Sequence, residues 1–129
     1  MNGVNKLPTL SETQWEIMNL IWDRESSTVS EAWHVLKERR GVSRNTVQTQ
    51  MVRLEEKGWL THQEEESGFR YLPTVGREET QESSVRRFVK MVFDGSTEGL
   101  LLTLLNGGEL SKSEAAQIRS LLDSQRKKK

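Results

Sequence analysis

Apolar residues recur along this chain at spacings of three and four, in segments separated by short polar runs, and most segments open on a residue suited to start a helix. In LSETQWEIMNLIW, Trp15, Met18, Ile21 and Trp22 fall on one helical stripe. Ser11, with Gln14 three residues on, makes the capping-box pattern in which each side chain reaches the other's backbone N–H. The spacing predicts a helix from about Glu12 to Trp22, closed by the polar run DRESS. STVSEAWHVLKERRG repeats the device, with Thr28 and Glu31 as cap partners, Val29, Ala32, Trp33 and Leu36 as the buried stripe, and Gly41 as the stop. A third helix starts at Ser43, buries Val47, Met51 and Leu54 along one face, and ends where Gly58 supplies a left-handed residue.

The pattern then changes period. In WLTHQEEESGFRYLP, Leu60 and Thr61 lie on one side of a polar, Gly-containing turn and Phe69, Arg70, Tyr71 and Leu72 on the other, which reads as a β-hairpin ended by Pro73. Three helices followed by a hairpin make a winged helix. From Arg77 the helical period returns. Val85, Phe88, Val89 and Val92 form a stripe that stops at Gly95, and Leu100, Leu101, Leu104 and Leu105 surround a short helix apolar enough to require burial. Ser111 and Glu114 cap a last helix carrying Ala115, Ile118, Leu121 and Leu122.

The expected fold is mainly α with a small β-hairpin wing: a winged helix-turn-helix over 1–73 and a helical dimerisation domain over 74–129. The C-terminal stripes are too large for three short helices to hide among themselves. They can be covered by packing back onto the winged-helix part or by a second copy of the chain, and the second is expected for Val85, Phe88, Val89, Val92, Leu101, Leu104, Leu105, Ile118, Leu121 and Leu122, since small helical layers commonly stabilise themselves by twofold association.

Composition sharpens this picture at one place. Charge is balanced at 19 basic against 19 acidic residues, which argues against a protein that coats nucleic acid without selectivity. Between Lys37 and Lys57, however, six basic residues face three acidic ones. Opposite the buried face of the third helix lie Arg44, Asn45, Gln48, Thr49 and Arg53. Asn and Gln offer paired donors and acceptors, Arg a fork matched to guanine or phosphate, and Thr a hydroxyl and a methyl. Polar helix faces are ordinarily just solvated. Here the face belongs to the second helix of a helix-turn-helix, the one that such motifs insert into a major groove.

Other chemistries find no footing. There is no cysteine, so disulfides, thiolate metal sites and thiol nucleophiles are excluded. His34 and His62 are too far apart to form a local ligand pair, no metal or cofactor is expected, and no nucleophile–base set points to an enzyme. The four tryptophans read as core anchors, with Trp59 packing against the first helix. No segment has the roughly 20 apolar residues a membrane span needs, so a cytoplasmic protein without membrane insertion is expected.

LSETQWEIMNLIW, VSRNTVQTQMVRLEEKGWL, GFRYLP and LLLTLLNGGELSKSEAAQIRSLL together resemble the penicillinase-repressor family, the BlaI/MecI/CopY group of bacterial transcriptional repressors, from about Thr9 to Leu122. The resemblance implies a winged helix that binds double-stranded operator DNA and a C-terminal homodimerisation domain; the signal that relieves such a repressor is left open between proteolysis by a sensor protease, a ligand at the dimer interface and another partner. It places Ser43, Asn45, Thr46, Gln48, Thr49 and Arg53 on recognition-helix positions. Ser43 and Thr46 suit phosphate, Gln48 and Thr49 base edges, and Arg44 and Arg53 guanine or backbone.

Three departures narrow the implication. The copper-responsive branch senses metal through a cysteine pair that this chain lacks, which excludes copper sensing by that route. The β-lactam-responsive branch is cleaved in the dimerisation domain at an Asn-Phe bond, and the matching cleavage position here, Thr103-Leu104, shares neither residue. The wing tip carries Glu64, Glu65 and Glu66 where a phosphate-facing loop would carry Lys or Arg, and residues 1–72 have a net charge of −2. An acidic wing also fits a second reading, a winged-helix interaction module without specific DNA binding. Against it, the residues named on the third helix are all polar.

Overall fold

The computed structural model describes residues 7–127. Helix α1 (Glu12–Arg24) opens on the expected capping box: the Ser11 backbone N–H donates to Gln14 Oε1 at 3.0 Å, and the Gln14 N–H to Ser11 Oγ at 3.2 Å. The helix runs two residues past Trp22, because a polar run does not itself stop a helix. The backbone turns only at Glu25, which takes the left-handed conformation at φ 72°. Its buried line is also rotated from the expected one. Ile17, Met18 and Ile21 are fully buried, and Trp15 and Trp22 flank them half-buried with rings 6.3 Å apart. Trp22 sits at the margin because its indole N–H needs a partner, which it finds in the Val75 carbonyl at 3.0 Å.

A short strand β1 (Ser27–Thr28) follows that the sequence pattern did not announce. Thr28 then caps α2 (Val29–Arg40) with Glu31 reciprocating, and Gly41 ends the helix at φ +67°. Helix α3 (Arg44–Glu56) is capped by Ser43, and Gly58 beyond it adopts φ +92°, as its position required. Strands β2 (Leu60–Glu65) and β3 (Gly68–Pro73) form the hairpin around a turn at Glu66 and Ser67. β1 adds to β3, so the wing is a three-stranded antiparallel sheet in the order β1-β3-β2, not a lone hairpin.

The core gathers Ile17, Met18, Leu20 and Ile21 from α1, Ala32 and Leu36 from α2, Val47, Met51 and Leu54 from α3, and Trp59, Leu60 and Tyr71 from the sheet. Trp59 donates its indole N–H to the Pro8 carbonyl at 2.9 Å, so it anchors the segment that leads into α1.

Helix α4 (Arg77–Val92) crosses the division of the chain into two compact units, which falls between Ser83 and Ser84. The second unit holds the end of α4, α5 (Thr97–Asn106) and α6 (Lys112–Lys127). Ser96 caps α5, and Ser111 and Glu114 make the expected capping box of α6. Within the single chain α5 buries no residue fully.

Candidate nucleic-acid interface

Helix α3 is polar outward because its inner face is fully used. Val47, Met51 and Leu54 are 0% exposed, and the helical repeat then turns Arg44, Asn45, Gln48, Thr49 and Arg53 to solvent. All five are exposed, as are Ser43 and Thr46 at the start of the helix. Ser43 Oγ caps the helix by accepting the Thr46 N–H at 3.1 Å, and the two hydroxyls are hydrogen-bonded to each other at 2.9 Å. The outward face is not wholly polar. Val52, four residues after Gln48 and three after Thr49, is 39% exposed on it, and helical spacing alone could have placed it there.

The helix is held by a polar network beneath it. Gln14, 5% exposed, donates from Nε2 to Gln50 Oε1 at 3.0 Å, and its Oε1 receives Lys57 Nζ at 2.8 Å. Lys57 also donates to the Thr9 carbonyl at 2.6 Å. At the other end, Trp33 Nε1 donates to the Val42 carbonyl at 3.2 Å, which fixes the turn between α2 and α3.

Most of the basic excess in this region is engaged. Arg40 pairs with Glu12 and Glu16, Lys37 lies 4.5 Å over the Trp33 ring, and Arg44 reaches Ser30 Oγ with both Nε and Nη2 at 3.3 Å. Among the described residues, Arg39 and Arg53 have no ion pair.

A groove of about 280 Å³ runs between the start of α2, helix α3 and the wing, lined by Thr28, Val29, Ser30, Arg44, Gln48, Ser67, Gly68, Phe69 and Tyr71. Ser30 and Phe69 are additions that sequence reasoning missed, because only the fold brings them beside Gln48. The wing is braced on both sides. Arg70 grips Glu31 with two bonds of 3.1 Å and reaches Glu65 at 2.8 Å and Ser26 at 3.2 Å. These bonds hold the Glu31 carboxyl below the ordinary carboxylate value and raise the Arg70 guanidinium above its own. His62 Nδ1 lies 2.7 Å from Glu55 Oε2 at the end of α3 and stacks on Phe69 with centroids 4.1 Å apart. Burial, and then the Glu55 charge, push the Tyr71 hydroxyl up. At the tip, Glu65 is neutralised by Arg70, while Glu64 and Glu66 are exposed without an ion pair among the described residues.

In the second unit, Val85, Phe88, Val92, Leu101, Leu105, Leu121 and Leu122 are exposed, Leu104 and Ile118 are half-buried, and Val89 alone of the expected set is buried. Thr103-Leu104 lies inside α5, with Thr103 Oγ1 donating to the Gly99 carbonyl at 2.8 Å. Among the described residues no group of His, Asp and Glu is placed to hold a metal ion, and no helix is long and apolar enough to cross a membrane.

The family model described as penicillinase repressor matches residues 10–124. The penicillinase repressor of Bacillus licheniformis is 27% identical over 126 residues, covering 98% of this chain and 98% of that protein. The DNA-binding domain of the repressor BlaI in solution aligns with a TM-score of 0.52 at 32% identity, covering 57% of this chain and 89% of that domain. The monomeric form of Bacillus licheniformis BlaI in complex with the blaP half-operator aligns at 0.50, with the same identity and coverage.

Proposed function

The chain belongs to the penicillinase repressor family, and on that premise we propose that it is a DNA-binding transcriptional repressor that lays α3 in the major groove of an operator half-site and pairs two copies through its second unit. The observation that carries the reading is the outward face of α3. Asn45, Gln48 and Thr49 stand in solvent on a helix whose opposite side is fully buried and whose ends are pinned by Gln14 and Trp33. The half-operator complex of the Bacillus licheniformis relative supports the same use of the matching domain.

Pairing is supported by the exposed apolar residues of the second unit, which would hide from water against a twofold copy of themselves. Two copies would carry two α3 helices, and a palindromic operator is the matching ligand. Relief of repression follows from anything that separates the copies. Proteolysis at Thr103-Leu104 requires α5 to unwind first, since the bond sits within a hydrogen-bonded helix.

The test is binding of the full chain to a selected duplex and to a random duplex of equal length, followed by fluorescence anisotropy across salt, with sedimentation of the free chain alongside. The expected result is a dimer that prefers the selected duplex by roughly 10³-fold or more. Equal affinity for both duplexes at every salt concentration overturns the reading in favour of an interaction module.

A further inference from the structure

The two arginines of α3 lie at its margins, and the surface between them has a chemistry of its own. Arg44 does not stand free at the tip of the helix. Its Nε and Nη2 are both turned to Ser30 on α2 at 3.3 Å, which lays the guanidinium along the edge of the groove shared with the wing. Arg53 falls on the other margin, about 140° round the helix from Gln48. Seated in a major groove with Asn45, Gln48, Thr49 and Val52 foremost, the helix turns Arg44 and Arg53 toward the phosphate backbones on either side. The centre here is Asn45, Gln48, Thr49 and Val52, all exposed. Glu56, the last residue of α3, bounds this face at the end where a recognition helix leaves the groove.

Resting on the operator-binding reading, we propose that α3 reads A·T pairs. The amides of Asn45 and Gln48 pair with the N6 and N7 edge of adenine, the methyls of Thr49 and Val52 meet thymine methyls, and the arginines are left to the phosphates. Guanine presents two acceptors side by side and is read by two parallel donors, which Arg or Lys supplies. The centre of this face has neither. A primary amide offers one donor and one acceptor, the complement of adenine's edge. Val52 completes the argument. It is the one apolar side chain in the centre of that face, and a thymine methyl is the feature of the major groove that an aliphatic side chain complements.

The experiment is selection of duplexes from a random pool by the full chain, followed by resynthesis of the winner with each thymine in turn replaced by deoxyuridine, which removes only the methyl. Wild type is compared with Val52→Ala, an exposed position whose truncation leaves the core untouched. The expected half-site has an A·T core, and at one position methyl loss weakens wild type roughly fourfold, the worth of about one buried methyl, while leaving Val52→Ala unchanged. A core with a G·C pair whose preference disappears in Arg44→Ala overturns the proposal and leaves the operator reading standing. Equal methyl sensitivity of wild type and Val52→Ala at every thymine also overturns it. Enrichment of no sequence at all overturns the operator reading, and this proposal with it.

Discussion

Replacing Gln14 with Leu removes the polar network under α3 while keeping the buried volume. The Gln14 side chain serves three partners: Oε1 accepts the Ser11 N–H at 3.0 Å and Lys57 Nζ at 2.8 Å, and Nε2 donates to Gln50 at 3.0 Å. Leu offers none of these bonds. The Ser11 and Gln50 bonds are each worth about 0.5–1 kcal/mol and the charge-assisted Lys57 bond about 1.5. Lys57 keeps the Thr9 carbonyl, and the added apolar burial returns about 1 kcal/mol, so the net cost is about 2 kcal/mol. For a unit of this size that lowers the melting midpoint by roughly 10 °C. All four tryptophans lie before Ser84, so urea unfolding followed by their fluorescence reports on this unit. Gln14→Glu is the control. It keeps both accepted bonds and regains the third if the Gln50 amide turns over, so at pH 7 it should stay within about 0.5 kcal/mol of wild type. If Leu costs less than about 0.5 kcal/mol, or Glu costs as much as Leu, apolar packing alone holds α3 and the network is incidental.

Met51→Ala, at a fully buried position under the reading face, should cost roughly 2–5 kcal/mol in the same urea assay. The Glu31 carboxyl, lowered by Arg70 from its ordinary 4.5, contributes stability that is complete above that pH and lost as pH falls through the lower folded value. The difference in urea midpoint between wild type and Arg70→Gln should therefore shrink below pH 4.5, and a difference constant with pH would count against the pair. Arg53→Ala should weaken binding to all duplexes alike and lower the salt slope by about 1, whereas Gln48→Ala should relax preference at one base pair by about 1–3 kcal/mol. Leu105→Asp combined with Leu121→Asp should sediment as a monomer with unchanged tryptophan emission, since both residues lie in the second unit.

What the sequence made legible was whatever is written within one turn of helix. Ser11 with Gln14, Thr28 with Glu31 and Ser111 with Glu114 are local pairs, and each formed as read. The polar face of α3 was legible for the same reason, since a helix is its own ruler, although Val52 was passed over on it. The end of α1 was not, because Glu25 takes a conformation more usual for Gly. β1 escaped notice because two residues show no alternation and their partners, Tyr71 and Arg70, are far downstream. The groove beside Gln48, the Arg70 brace and the clasp between His62 and Glu55 are likewise tertiary facts. The exposure of α5 has another origin: apolarity predicts that a helix will be covered, not that its own chain covers it.

The junction of β1 and α2 leaves the chain no slack. β1 ends at Thr28 and α2 begins at Val29, and Thr28 is at once the partner of Arg70 in the sheet and the cap of the helix. Side chains there can be exchanged, but length cannot. One inserted residue would force either the strand register or the helix cap out of phase, and the Ser27–Tyr71 pairing that seats the wing would go with it. The turn at Glu66 and Ser67 is the reverse case, exposed and remote from the core, so an epitope or fluorophore-bearing peptide spliced there extends the wing without disturbing its root.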